Sequence, residues 1–271
     1  MSAVRPSSLV TGASAGIGEA FARALAVRGH DLILTARRGS RLETLAAELR
    51  ATHDCQVTVL VADLADPGAP LQLEAALRAR QLRVDWLINN AGYGLPGHYQ
   101  QPDWSEHAAF LQVMVIAPSE LIWRLLPGMR ARGHGRIINV ASLAGFAPGT
   151  AGHTQYAAAK AFMIKFSQSL ALENRAQGLA VCALCPGFTR SEFHDITGTR
   201  ALMNRMPDFM WQSAEAVVTE ALDALDRAES VRVTARINRL IKAALKLLPD
   251  RLAERLAAGQ AGRYRAPPPT M

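Results

Sequence analysis

Cysteine is scarce, with three in 271 residues, which is too few for a disulfide framework. Cys182 and Cys185 have C-x-x-C spacing, but they fall in the strand-like run from Leu179 to Leu184 and the turn that ends it. A redox pair of this spacing opens a helix instead, so both are expected to be buried structural thiols. No set of His, Cys and carboxylate residues has metal-ligand spacing, and no metal is expected. No apolar run reaches the ~18 to 20 residues that span a bilayer. The start, Met1 to Pro6, passes directly into a strand and a glycine turn and leaves no room for a signal peptide; a cytoplasmic location is expected. Most of the chain also lacks a charge excess. The net charge is +7, yet residues 227 to 271 hold ten Lys or Arg against three acids. The first 226 residues therefore balance, and nothing in them marks a nucleic-acid partner.

What is present is an alternation of strand-length apolar runs and helix-length amphipathic segments. Strands are expected at 8–10, 31–36, 57–61, 84–88, 136–140, 179–184 and 231–233. Helices are expected from the glycine turn to about Arg28, at 41–50, from strand three to about Arg80, at 105–129 with a bend near Pro118, at 155–177 and at 214–226. The pattern predicts an α/β fold: a single Rossmann-like, doubly wound parallel sheet of about seven strands with helices on both faces. One catalytic domain over 1–235 is expected, with 236–271 as a basic appendage. Such sheets bind ligands outside the carboxyl ends of their strands, and the motifs below all follow strands.

Thr11-Gly12-Ala13-Ser14-Ala15-Gly16-Ile17-Gly18 follows the first strand. Gly12 permits a tight turn, while Gly16 and Gly18 let backbone approach a pyrophosphate at the N-terminus of a helix. At the end of strand two, Ala36 stands where an acid would accept from the ribose hydroxyls of NAD, and Arg37 and Arg38 follow. Guanidinium groups suit a 2′-phosphate, so NADP(H) is expected in preference to NAD(H), with Arg37 the main contact and Arg38 the second. Farther on, Tyr156 and Lys160 are four apart on one helix face. The ammonium is expected to lower the Tyr156 pKa, tuning a phenol that gives or takes a proton at a carbonyl or alcohol oxygen.

The glycine turn, Asn89-Asn90-Ala91-Gly92, Ser142, Tyr156-Ala-Ala-Ala-Lys160 and Cys185-Pro186-Gly187 stand in the order and approximate spacing of the short-chain dehydrogenase/reductase family. The chain resembles that family over roughly residues 7 to 233. The resemblance implies an oxidoreductase acting between alcohol and carbonyl groups. Tyr156 would be the general acid/base, Ser142 would hydrogen-bond the substrate oxygen, and Lys160 would lower the Tyr156 pKa and hold the nicotinamide ribose. It implies cofactor contacts from Gly12, Ser14, Gly16, Ile17 and Gly18, from Asp63 and Leu64 at the adenine, from Asn90, Ala91 and Gly92, and from Pro186, Gly187 and Thr189 at the nicotinamide, with Asn89 bracing the sheet. A homodimer or homotetramer through helices 105–129 and 155–177 is also implied.

Met114 departs from the pattern, standing where the family carries an asparagine that helps hold a proton-relaying water. Its backbone carbonyl is kept, but the thioether cannot replace the amide. A slower relay, or a bend stabilised differently, is expected.

The long segment 188–212, with Phe188, Phe193, Met203, Met206, Phe209, Met210 and Trp211, reads as a lid over an apolar or aromatic substrate. Tyr93, Leu143 and Phe146 would form the opposite wall, and Arg190 is a candidate for a carboxylate. Residues 236–258 read as a basic amphipathic helix that packs on the body, on another subunit or on an anionic membrane, and the tail 266–271 as disordered. The expectation is NADPH-dependent reduction of a ketone or aldehyde. The alternatives are a catalytically weak NADP(H)-binding protein and a membrane-peripheral reductase of a lipid-like ketone.

Overall fold

The computed structural model describes residues 5–95, 97–149, 151–152, 154–190, 192, 207–249, 251–252 and 255. Much of segment 188–212, including Phe193, Met203 and Met206, lies outside them, as do most of 248–258 and the whole of 266–271.

The strands are β1 (Ser7–Thr11), β2 (Asp31–Ala36), β3 (Val57–Val61), β4 (Trp86–Asn89), β5 (Gly135–Val140), β6 (Leu179–Cys185), β7 (Phe188–Arg190), β8 (Trp211–Ser213) and β9 (Val231–Val233). Seven form one parallel sheet in the order β3-β2-β1-β4-β5-β6-β9. The order reverses between β1 and β4, opening a crevice at their carboxyl ends. The continuous burial of β1, β2 and β6 follows from their runs of apolar residues, because helices cover both faces. Cys182 and Cys185 lie in β6, fully buried and unpaired, and burial pushes both thiols up to about 12.

The helices are α1 (Gly16–Val27), α2 (Gly39–Thr52), α3 (Ala69–Ala79), α4 (Trp104–Leu111), α5 (Ala117–Ala131), α6 (Thr154–Asn174), α7 (Ala214–Asp226) and α8 (Arg236–Leu247). Phe21, Leu25, Leu42 and Leu49 pack with α7 on one face of the sheet. Leu73, Leu121, Ile122 and Met129 lie with α6 residues on the other. The stretch Trp104–Ala131 is long and apolar enough by composition to cross a membrane, with 44% of its most apolar window buried inside the fold. Charges interrupt it, so it contains no long uninterrupted apolar run.

Three details differ from the sequence reading. The expected long helix is α4 and α5 joined by a π-helical turn, Gln112–Ile116. Pro118 has no N–H, so the carbonyl of Met114, four residues earlier, loses its α-helical donor and the ladder widens there. A short parallel ribbon pairs β7 with β8; its three-residue strands are too short to carry a period. The expected strand 84–88 begins at Trp86, and the carboxylate of Asp85 just before it accepts from the Ser7 N–H at 3.0 Å and from Arg83 at 2.9 Å.

Candidate active site

The glycine turn and the end of β4 are built as one piece. Thr11 Oγ1 donates to the Ile88 carbonyl at 3.2 Å and accepts from the N–H groups of Asn90 and Ala91 at 2.9 and 3.0 Å. Asn90 Nδ2 donates to the carbonyls of Thr11 and Gly12 at 2.9 and 3.2 Å. Gly12 is left-handed, with φ +64°. A Cβ on Gly18 would overlap the Gly12 carbonyl and Asn90 Nδ2, so only hydrogen fits where α1 meets the turn. The N-terminus of α1 begins at Gly16, directly behind this cradle. A glycine turn leading into a helix N-terminus fits a dinucleotide pyrophosphate.

The two arginines after β2 are held differently. Arg38 reaches back to the glycine turn, with Nε and Nη2 on Ser14 Oγ at 3.2 and 3.1 Å. Arg37 is exposed and makes no side-chain hydrogen bond or ion pair among the described residues. Asp63 folds back to accept from the Ala65 N–H at 3.0 Å, and Leu64 is buried beneath it. Asn89 braces the sheet as expected. Its Nδ2 donates to Asn139 Oδ1 at 2.9 Å, and Asn139 Nδ2 donates to Ser167 Oγ at 2.9 Å, which links β4, β5 and α6.

Ser142, Tyr156 and Lys160 meet at the carboxyl ends of β5 and β6. Ser142 caps the 3-10 turn Leu143–Phe146, its Oγ accepting from the Ala144 N–H at 3.1 Å. The Leu143 N–H donates to the Pro186 carbonyl at 2.8 Å, tying the Ser142 loop to the Pro186-Gly187 turn. Gly145 lies directly on α6, where a Cβ would meet the backbone of Lys160 and Ala161 at 2.8 and 2.9 Å. Lys160 is 7% exposed; its Nζ donates to the Val140 carbonyl at 2.7 Å and stands 5.7 Å from the Tyr156 ring centre.

The electrostatics correct the expectation for Tyr156. Burial holds its phenol above the ordinary tyrosine value, and a hydrogen bond with Ser142 pulls the other way. The ammonium of Lys160 is engaged by a backbone carbonyl, and burial pushes Lys160 itself down to about 8. The hydrogen bond with Ser142 favours the ionised phenol, and burial outweighs it.

Met114 sits in the π-helical turn, 3% exposed. It packs with Phe110 and Ala159, with Tyr93 and Tyr156 against the same cluster. Its Sδ lies 2.9 Å from where a Gly92 Cβ would stand, so Met114 fills the space beside Gly92. The bend is held by apolar packing at this position.

The expected substrate residues are not all brought together. Leu143 and Phe146 pack in one cluster with Met163 and Ile164. Tyr93 stands edge-on to Phe110 at 5.5 Å, against the same cluster as Tyr156, and within electrostatic reach of Arg37 and Asp63. Phe188 contacts Trp211 at 5.6 Å across the ribbon. Thr189 is buried, its Oγ1 3.4 Å from the Gly187 carbonyl. Arg190 is paired with Asp208 at 2.7 Å, and Phe193 lies outside the described residues.

Several residues at the site went unnoticed in the sequence. Asn238 of α8 is buried, with Nδ2 2.5 Å from a would-be Gly187 Cβ, and Lys242 lies 4.6 Å over the Phe146 ring. The one signal for Asn238 is a polar residue on the inward arc of an amphipathic helix. Glu192 pairs with Arg41 at 2.6 Å and with Arg38 at 2.9 Å, across a sequence separation that no local pattern bridges.

Known proteins resemble this chain in sequence and in fold. The family profile described as short chain dehydrogenase matches residues 7–200. Nodulation protein G of Rhizobium sp. (strain N33) is 39% identical over 188 residues, 69% of this chain and 75% of the relative. A short-chain dehydrogenase from Sphingobium yanoikuyae, solved in complex with NADPH, superposes with a TM-score of 0.78 at 36% identity, covering 90% of this chain and 95% of that one. A bulky-bulky ketone specific alcohol dehydrogenase from Comamonas testosteroni superposes with a TM-score of 0.74 at 32% identity and the same coverage.

Proposed function

The chain belongs to the short-chain dehydrogenase family and is an oxidoreductase of CH–OH and C=O groups, and from that premise we propose that it is a cytoplasmic reductase of an apolar or aromatic ketone or aldehyde, reversible in the alcohol direction, with NADP(H) preferred over NAD(H). The observation that carries the reading is the meeting of Ser142, Tyr156 and Lys160 beside a glycine cradle. Arg38 beside Ser14, with no acid at Ala36, supports the phosphorylated cofactor. The solved relative from Sphingobium yanoikuyae holds NADPH, and that from Comamonas testosteroni acts on bulky-bulky ketones. Residues 1–235 form the catalytic unit in this reading, with 188–212 over the substrate. Three unpaired cysteines suit a reducing compartment.

Bound at the cradle, NADPH would supply the hydride. Gly12, Ser14, Gly16, Ile17 and Gly18 would hold its pyrophosphate, Asp63 and Leu64 its adenine, Asn90, Ala91 and Gly92 its length, and Pro186, Gly187 and Thr189 its carboxamide. Ser142 Oγ hydrogen-bonds the substrate oxygen, where negative charge develops. Tyr156 stays protonated through the neutral range, because burial raises it, and gives its proton to that oxygen. Lys160 supplies positive charge beneath the phenol. Leu143 and Phe146 present an apolar wall.

The test is oxidation of NADPH, followed by absorbance, against aliphatic, aromatic and bicyclic ketones, with NADH in parallel. Ketone-dependent oxidation is expected, with NADH much weaker, and Tyr156→Phe is expected to cost about 10²- to 10⁴-fold. Equal turnover in Tyr156→Phe would sink the mechanism.

A second reading is favoured by α8. Leu240 and Leu247 are 66% and 84% exposed beside Arg236 and Lys246, an arrangement that suits a reductase working at an anionic membrane surface.

A further inference from the structure

Glu192 lies two residues beyond β7 and closes a small ion cluster across the crevice. Its Oε2 accepts from Arg38 Nη1 at 2.9 Å and its Oε1 from Arg41 Nη1 at 2.6 Å. One carboxylate thus bridges two guanidinium groups. Arg38 uses its remaining nitrogens on Ser14 Oγ and, at 3.4 Å, on the Ser14 carbonyl. The cluster therefore sits beside the glycine turn.

Positive charge is concentrated here for a reason the fold alone does not supply. Arg38 is the N-cap of α2, Arg41 lies in its first turn, and no acid stands in that turn. Basic side chains at a helix N-terminus add to the positive end of its dipole. The arrangement costs stability unless an anion offsets it, and Glu192 provides that anion. Both partners hold its carboxyl below the usual carboxylate range, Arg41 more than Arg38. The contacts are nevertheless open to solvent, with the Glu192 side chain 41% exposed. An exposed pair of this kind is weak and can yield to a stronger anion.

We propose that Glu192 is a cofactor-specificity residue: its carboxylate occupies the Arg38–Arg41 fork that a 2′-phosphate would take, so a phosphorylated cofactor must displace it and an unphosphorylated one need not. The inference rests on the NADP(H) reading. A phosphate brings three acceptor oxygens and close to two negative charges against the single charge of a carboxylate. It wins the exchange, but its affinity is reduced by the contacts it displaces. Glu192 thereby narrows the gap between the two cofactors and ties the state of the fork to β7, three residues from Thr189.

Titration calorimetry with adenosine 2′,5′-bisphosphate and with 5′-AMP tests this without turnover. The native chain, Glu192→Gln, Arg38→Ala and the double variant would be compared. Glu192→Gln is expected to tighten the bisphosphate about three- to tenfold and to leave 5′-AMP within about twofold, with the gain gone in the double variant. A native preference for the bisphosphate that Arg38→Ala abolishes, but that Glu192→Gln leaves unchanged, overturns the proposal and keeps the cofactor reading. Weaker binding of either ligand by Glu192→Gln also overturns it, because the carboxylate would then support binding. Equal binding of both ligands by the native chain and by Arg38→Ala overturns the cofactor reading and the proposal together.

Discussion

Lys160 carries a pH signature at the site itself. Burial lowers it from 10.5 to about 8. Below pH 8 it holds its proton in both the folded and the unfolded chain. Between about 8 and 10.5 the unfolded chain binds more protons, so this residue makes stability rise with pH. Cys182 and Cys185, raised from 9.0 to about 12, act in the opposite sense above 9, where the unfolded thiols ionise first. The readable quantity is therefore the difference between the native chain and Lys160→Arg. Ketone reduction is expected to decline above about pH 8 as the positive charge beneath Tyr156 is lost, while the Lys160 contribution to stability increases over the same interval. In Lys160→Arg the decline should move to higher pH, because a guanidinium keeps its proton. Persistence of the inflection near pH 8 in that variant would assign it to another group.

Met114 makes a second prediction at the same scale. Its side chain fills an apolar nest formed by Phe110, Ala159 and Tyr156 over Gly92. Met114→Asn, which restores the usual family residue, would put an amide where the thioether now packs. Such a change costs about 1–3 kcal/mol when the amide finds no partner, and urea unfolding would show it as a lowered midpoint. Unchanged stability would mean that the amide reaches a partner at the bend, and faster turnover in that variant would identify the partner as part of the proton path.

Among elements, legibility followed the length of the signal. β2, β3 and α7 fell where the apolar runs and the helical period placed them, because each is bounded by turn residues or charge. The bend near Pro118 could be read from the missing N–H, but its π-helical form could not, because it depends on how α4 and α5 both reach the sheet. β7 and β8 left no trace, since three residues cannot show a period. Among site residues, the glycine turn, Ser142, Tyr156 and Lys160 were readable as a spaced set. The tie of Arg38 to Ser14 was not, because it is decided by side-chain reach from two neighbouring strand ends.

Helix α8 shows the same division between local pattern and tertiary packing. Its amphipathic stripe was legible over 237–248; which arc faces the body was not. Asn238 and Lys242 turn inward, onto Gly187 and Phe146, and Arg239 is held by Glu220 at 3.2 Å. Leu240 and Leu247 are left facing outward. If α8 meets an anionic bilayer, the chain should co-sediment with phosphatidylglycerol-containing vesicles and less so with neutral ones. Binding should weaken with salt, because the exposed charges are screened. Removing residues 236–271, or replacing both leucines by Glu, should abolish it. Equal partitioning of native and variant chains would exclude the helix as a membrane contact.

At the scale of the whole molecule, a second set of exposed apolar side chains lies on the stretch 104–131 and on α6. Trp104, Ile116 and Trp123 project from the stretch 104–131, and Phe162 and Leu172 from α6. Phe162 stacks on Phe166 at 5.5 Å, which keeps an aromatic pair at that surface. Single exposed hydrophobes need no explanation, but large ones concentrated on adjacent helices mark an interaction face. The buried arcs of the same helices already serve the sheet through Leu121, Ile122 and Leu170, so the outward arcs remain available to a second copy. Sedimentation velocity at micromolar concentration should therefore show a dimer or tetramer. Trp123→Glu combined with Phe162→Glu should give monomers that keep the circular dichroism of the native fold, since both side chains lie outside the core. Deleting residues 236–271 should leave the assembly intact if this surface makes it. A native chain that sediments as a monomer would remove the oligomer from the reading, and assembly lost only with the C-terminal residues would move the interface to α8.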